Sequence, residues 1–116
     1  MIEHNDLAKE KCEPSSSEIA PMTLPEAMKL LQNLHEAWSI NAIGRIERAF
    51  LTRDFLSSLD LGVVIGRIAQ EAQYFPDLVI QNGILRVEIW SRPLNGLSRA
   101  DFVLAAKIDA ALGRNL

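Results

Sequence analysis

Asn82-Gly83 lies between two runs of apolar and β-branched residues, Leu78 to Gln81 and Ile84 to Trp90. Both central residues of a type I′ turn need positive φ, and Asn-Gly is the pair that adopts it most readily, so a tight hairpin is predicted. In its second arm Leu85, Val87 and Ile89 alternate with Arg86, Glu88 and Trp90. Side chains alternate across a strand, so this arm has one apolar face and one polar face. That is the pattern of an antiparallel sheet covered on one side. Whatever covers that side must bring its own apolar surface.

Helical patterns flank the hairpin and supply it. Thr23-Leu24-Pro25-Glu26 reads as a helix start: Thr23 caps, Glu26 reaches back, and Pro25 is tolerated in the first turn. Leu24, Ala27, Met28, Leu31 and Leu34 follow at helical spacing, giving a first helix that ends near His35. His35 itself reads as a helix C-terminal residue favoured by the dipole rather than as a ligand. Trp38 to Asn41 and Ile46 to Thr52, around Gly44, read as two antiparallel strands. Arg45, Glu47, Arg48 and Arg53 predict one wet face for the second of them. Asp54 caps a second helix running to about Gln73. Ser98, with Asp101 at the capping-box position, opens a last helix whose buried stripe is Leu104, Ala105, Ile108 and Leu112. Gly113 stops it. The order α-β-β-α-β-β-α predicts an α+β fold, a four-stranded antiparallel sheet with three helices on one face.

The second helix carries two apolar stripes. Leu61, Ile65, Ile68, Ala72 and Phe75 form one, and Phe55, Leu59, Gly62, Val63 and Gly66 form the other. A surface helix normally shows one. Either the second stripe meets another subunit, with the glycines allowing close approach, or the helix is sandwiched within one monomer. An unpaired sheet edge is a template for pairing, so the strand pattern is compatible with a homodimer joined edge to edge.

At 116 residues, 48% hydrophobic and 23% charged, the chain suits one soluble domain. A net charge of −3 removes the global field that would attract nucleic acid. No apolar run approaches the roughly 20 residues that span a bilayer. One cysteine, Cys12, excludes an internal disulfide framework, and the first residues lack the pattern of a signal peptide. The expected compartment is cytoplasmic. Residues 1–22, with Glu13-Pro14-Ser15-Ser16-Ser17-Glu18, read as a disordered N-terminal tail, or as a short motif that folds onto a partner through Ile19 to Met22. The domain is expected over 23–116. No Cys/His pair supports a metal and no Gly-rich loop supports a nucleotide, so no cofactor is expected.

Ala37-Trp38, Phe50-Leu51-Thr52-Arg53-Asp54-Phe55, Tyr74-Phe75-Pro76-Asp77-Leu78, Trp90-Ser91-Arg92-Pro93 and Gly96-Leu97-Ser98-Arg99-Ala100-Asp101 fall in this order. Over roughly residues 24–112 the chain resembles the pterin-4a-carbinolamine dehydratases. Their pattern is Gly-Trp, Phe-x-Phe-x-Asp-Phe, His-His-Pro-x-Trp, Thr-His-Asp or Thr-His-Glu, then Gly-Leu-(Ser/Thr)-x-x-Asp. From Phe50 to Asp101 the spacing runs without a gap. The resemblance implies a dehydratase fold and a reaction that removes a hydroxyl as water, for which the family uses three histidines able to exchange protons near neutral pH. Those positions here are Tyr74, Phe75 and Arg92, the aromatic after Pro is Leu78, and the acid after the third histidine is Pro93. Phenylalanine transfers no proton, arginine stays protonated, and tyrosine titrates near 10. The only histidines are His4 and His35, outside the matching positions.

The resemblance therefore implies a non-enzyme. Aromatic and arginine side chains are enriched in binding hot spots, so Tyr74, Phe75, Trp90, Arg92 and Arg86 are the candidate partner-binding residues; alternatively Tyr74 and Phe75 fill the vacated pocket as core. Dehydratase-like proteins without the histidines, encoded with α-carboxysome components, act as assembly factors for RuBisCO. The chain looks like that group, which implies binding to the RuBisCO large subunit and carboxysome association. A dimerisation cofactor of another protein is the second expectation, and a diverged 4a-hydroxytetrahydrobiopterin dehydratase the third.

Overall fold

The computed structural model describes residues 7–13 and 20–113. Four strands pair throughout antiparallel in the order β1-β2-β4-β3: β1 (Ser39–Ile40), β2 (Ile46–Leu51), β3 (Asp77–Gln81) and β4 (Ile84–Ile89). Among the described residues the helices are α1 (Leu24–Leu31), α2 (Phe55–Ala72) and α3 (Arg99–Leu112). Register places Ile46, Arg48 and Phe50 of β2 opposite Ile89, Val87 and Leu85 of β4, and Leu78 and Ile80 of β3 opposite Val87 and Leu85. That inward face packs on the helices and makes the core with Phe102, Val103, Leu104, Ala105 and Ile108 of α3. The expected α+β architecture is the observed one.

Local chemistry accounts for the boundaries. Thr23 and Glu26 close the capping box of α1. Asp54 accepts from the Ser57 N–H at 2.8 Å, and Asp101 Oδ2 accepts from the Ser98 N–H at 2.8 Å. Between β1 and β2, Asn41 Oδ1 accepts from the backbone of Ile43 and Arg45, with Gly44 at φ +81°.

Several expectations are corrected. The first helix stops at Leu31 rather than near His35, and its Leu24 and Met28 face solvent, so Ala27 alone of that helix is fully buried. Trp38 precedes β1 as a core residue, its Nε1–H donating to Asp109 Oδ1 at 2.8 Å. In the hairpin only Gly83 has positive φ (+84°), which excludes type I′. Arg48 is not on the wet face: it is 4% exposed and bonds Asp109 of α3 at 3.0 Å, because it shares strand parity with Ile46 and Phe50.

The second stripe of α2 divides. Gly62 faces the sheet, where an added Cβ would lie 3.4 Å from Ile80 Cδ1. It belongs with Ser58, Ile65 and Ala69 on the buried side, not on an oligomer face. Phe55, Leu59 and Val63 are exposed, together with Leu56 and Val64. Gly66 is half-buried with nothing within 4 Å of an added Cβ. Phe75, assigned to the first stripe, is 60% exposed.

The expected disorder of 1–22 does not describe residues 7–13. Leu7 is 6% exposed within the core cluster, Glu10 pairs with Arg99, and Lys107 Nζ donates to the Ala8 carbonyl at 2.7 Å. Met22 N–H donates to Leu97 O at 2.8 Å. Residues 1–6 and 14–19 lie outside the described residues, so most of the polar run from Glu13 to Glu18, and Ile19 with it, is not described, and neither is His4.

Candidate functional site

The end of α2, the end of β4 and the start of α3 converge. The α2 helix closes on Gln73, in the left-handed region at φ +56°, whose N–H donates to Ala69 and Gln70 carbonyls. That reversal turns the chain back so that Tyr74 N–H still reaches Ala69 O at 3.2 Å while its side chain points toward α3. The end of β4 passes through Trp90 and Ser91 into a 3₁₀ turn, Arg92–Leu94. Ser91 and Gly96 exchange backbone bonds across that turn, and Asn95 at φ +48° lets it close. The N-terminus of α3 completes the site.

Tyr74 is turned inward. Its hydroxyl lies 2.6 Å from Ser91 Oγ and donates to Asp101 Oδ1 at 2.7 Å. Ser91 Oγ also donates to Asp101 Oδ2 at 2.8 Å and lies 2.9 Å from Ser98 Oγ. Burial pushes the Tyr74 phenol up to about 12, and the neighbouring Asp101 carboxylate adds to the shift. Burial likewise raises the Asp101 carboxyl, against the pull of its donors Ser98, Tyr74 and Ser91. Asp101 has no exposed surface. The group is a closed hydrogen-bond knot that joins the α2 end, the β4 end and the α3 start.

The remaining candidates form a separate, exposed cluster. Asp77, the first residue of β3, accepts from Arg92 at 2.8 Å and from Trp90 Nε1 at 3.1 Å. Two guanidiniums lie over the Trp90 ring, Arg45 at 3.6 Å and Arg92 at 4.7 Å from its centroid. Arg45 is held by Glu88 at 2.9 Å, and Asn41 joins Glu47 and Glu88. Phe75 stands exposed two residues before Asp77. Arg86 is on the same outer face of the sheet, opposite Val79 and Ala49, but has no bond to this cluster among those described.

The five expected residues therefore separate. Trp90 and Arg92 are brought together, Phe75 is adjacent, Arg86 is displaced along β4, and Tyr74 belongs to the interior. Asp77, Arg45, Ser91 and Asp101 were not singled out as site residues. Asp101 carried a signal as a capping residue, but capping does not reveal burial. Among the described residues no group of three or more His, Cys, Asp or Glu side chains could hold a metal ion, and no helix is long and apolar enough to cross a membrane.

A family model described as Pterin 4 alpha carbinolamine dehydratase matches residues 20–111. A protein of Rickettsia canadensis, provisionally named a pterin-4-alpha-carbinolamine dehydratase, is 35% identical over 106 residues, 91% of this chain and 97% of its own length. A protein of Alkaliphilus metalliredigens with the same provisional name is 33% identical over 105 residues, 90% of this chain and 95% of its own. The crystal structure of a transcriptional coactivator/pterin dehydratase from Brucella melitensis superposes with a TM-score of 0.69 at 21% identity, over 80% of this chain and 99% of that one. At that identity the likeness is one of fold.

Proposed function

This chain belongs to the pterin-4a-carbinolamine dehydratase family, and we propose that within it the chain is a member without turnover that works by binding another protein. The observation that carries the reading is the state of Tyr74. At a position where the sequence resemblance expects a proton-transferring histidine, the phenol is bonded to Ser91 and Asp101 and raised to about 12. A proton donor or base serves best when it titrates near the working pH. Phe75 and Arg92 offer no better acid or base. Arg92 is already engaged by Asp77 and stacked on Trp90.

What these residues offer is recognition. Trp90 with two guanidiniums over its ring, and the exposed Phe75 two residues before Asp77, has the aromatic and arginine composition of a hot spot. The partner we propose is the RuBisCO large subunit or its assembly intermediates, in a cytoplasmic, carboxysome-associated setting; sequence resemblance supports this, and the outer-face cluster is compatible with it. A homodimer paired through β3, the five-residue edge of the sheet, accompanies the reading. The exposed band Phe55, Leu56, Leu59, Val63 and Val64 favours a second reading, in which α2 is the contact helix of a dimerisation cofactor.

The deciding assay has two arms. In the first, the purified chain is added to a 4a-hydroxytetrahydropterin, and the expected dehydration rate is the spontaneous one. In the second, binding to RuBisCO large subunits is measured by interferometry, with Arg92→Ala and Phe75→Ala expected to weaken it. Acceleration above the spontaneous rate overturns the first claim, and absence of large-subunit binding overturns the partner.

A further inference from the structure

The chain carries two Asn-Gly pairs, Asn82-Gly83 in the turn between β3 and β4 and Asn95-Gly96 after the 3₁₀ turn. Such a pair is chemically labile, because the glycine N–H can attack the asparagine side-chain amide with no Cβ in the way. As sequence the two pairs are equal, and the fold makes them unequal. At Asn95-Gly96 the nucleophile is already engaged. Gly96 N–H donates to Ser91 O at 3.3 Å, and Ser91 N–H returns a bond to Gly96 O at 2.9 Å. Asn95 N–H donates to Arg92 O at 3.0 Å, and the flanking Leu94 and Leu97 are buried. Pro21 lies over Gly96, with its Cβ 2.9 Å from where a glycine Cβ would stand. At Asn82-Gly83 none of this holds. Asn82 is exposed, and among the described residues no hydrogen bond engages its side chain or the Gly83 N–H. An added Cβ at Gly83 would meet only Thr52 O, 3.8 Å away.

We propose that Asn82-Gly83 is a modification site of the folded chain, where asparagine converts without an enzyme to aspartate and isoaspartate, while Asn95-Gly96 is protected. Gly83 N attacks Asn82 Cγ and gives up its proton to solvent base. The Cγ–Nδ2 bond breaks, ammonia leaves, and a five-membered imide closes. Water then opens one of the two imide carbonyls. One product is an ordinary aspartate; the other routes the main chain through Cγ. Nothing is oxidised or reduced. Either product adds one negative charge. Isoaspartate also adds one main-chain atom to a two-residue turn whose flanking residues, Gln81 and Ile84, are paired. Turn length fixes hairpin register, so the extra atom works against that pairing. The Gly83 carbonyl accepts from Thr52 N–H at 2.9 Å and ties the turn to the chain entering α2, and that tie is displaced with it. Asp77 and Glu88 pair at the other end of this hairpin, beside Trp90. The modification therefore stands apart from the binding cluster and holds whether or not the chain turns over a pterin.

The full chain is aged at mildly alkaline pH, folded and in concentrated urea, and compared with an unaged sample. Trypsin separates the two pairs. Residues 68–86 hold Asn82 as their only asparagine, and residues 87–99 hold Asn95, since the Arg92-Pro93 bond resists cleavage. Mass spectrometry reads conversion in each peptide, and methylation by an isoaspartyl carboxyl methyltransferase reports isoaspartate. In the folded chain Asn82 should convert about tenfold faster than Asn95 or more, because the Gly96 turn must open before its N–H can react. In urea the two should convert at similar rates. The aged parent should lose Tm as isoaspartate accumulates, while an Asn82→Ser chain aged beside it keeps its Tm. Equal conversion of the two pairs in the folded chain overturns the proposal. So does an Asn82 that stays intact in the folded chain while converting in urea. Isoaspartate at position 82 with an unchanged Tm overturns its effect on the hairpin.

Discussion

Tyr74→Phe removes one oxygen from a buried knot and nothing else. The hydroxyl makes a bond to Ser91 Oγ at 2.6 Å and one to Asp101 Oδ1 at 2.7 Å. Ser91 and Asp101 are 2% and 0% exposed, so water does not replace the lost donor. A hydrogen bond to a charged group is worth about 1.5–3 kcal/mol net, and one between neutral groups about 0.5–1.5 kcal/mol. Ser91 and Ser98 still donate to Asp101, which keeps the loss toward the lower end, about 2 kcal/mol. For a domain of this size that lowers Tm by roughly 8–10 °C. The same hydroxyl gives an optical test, because Tyr74 is the only tyrosine. Its ionisation, followed by absorbance near 295 nm, should be displaced from about 10 in the unfolded chain to about 12 in the native one. The native state holds the proton more tightly than the unfolded state. The stabilisation is therefore complete below the unfolded value of about 10 and is lost as pH rises through about 12. A native phenol that titrates at its ordinary value, together with a Tyr74→Phe variant that melts within a degree of the parent, would refute the inward placement.

Three further outcomes follow from the same geometry. Asp109→Ala removes the carboxylate that joins Arg48, Trp38 Nε1 and the His35 N–H, and since Arg48 is 4% exposed the expected loss by chemical denaturation is about 3–5 kcal/mol. Gly66→Ala should stabilise α2 by about 0.5–1 kcal/mol, as no atom lies within 4 Å of the added Cβ, whereas Gly96→Ala meets Pro21 Cβ at 2.9 Å and should lower Tm; an equal response of the two would contradict that spacing. Arg92→Ala breaks an exposed pair worth at most about 1 kcal/mol, so Tm should move little while partner binding weakens.

Elements were readable where a short-range pattern determines them. The alternation in β4, the capping boxes at Thr23 and Ser98, and the Asp54 cap each depend on residues within four positions, and each stands in the structure. Misreadings occur where the partner is distant. Arg48 looked like a surface charge because its partner Asp109 is 61 residues away, though its parity with Ile46 and Phe50 pointed inward. Gly62 sits on the α2 stripe assigned outward, yet it faces Ile80 and Leu85 of the sheet, within van der Waals reach of an added Cβ, and neither neighbour is near it in sequence. Leu7 was hidden in a short polar segment whose anchors, Arg99 and Lys107, lie on the last helix.

The candidate site shows the same division, and it bears on why position 74 holds a phenol. Asp101 is needed at the start of α3, where its carboxylate accepts the Ser98 N–H. The knot that forms around it is buried, and a buried carboxylate is tolerated only with donors directed at it. Burial raises its pKa, so its proton is taken up more readily in the folded state, and its contribution to stability falls as pH rises above the ordinary carboxylate range. A residue at position 74 that lacks a donor would leave that carboxylate worse solvated; phenol supplies the donor and fills the space between α2 and α3 without titrating near neutrality. The requirement is structural and is met whether or not a pterin ever enters. Tyr74→His tests it. If packing governs the position, imidazole should destabilise the fold, and the loss should shrink at mildly acid pH, where an imidazolium can pair with Asp101. If instead catalytic competence governs it, the substitution should raise dehydration of a 4a-hydroxytetrahydropterin with no change in Tm.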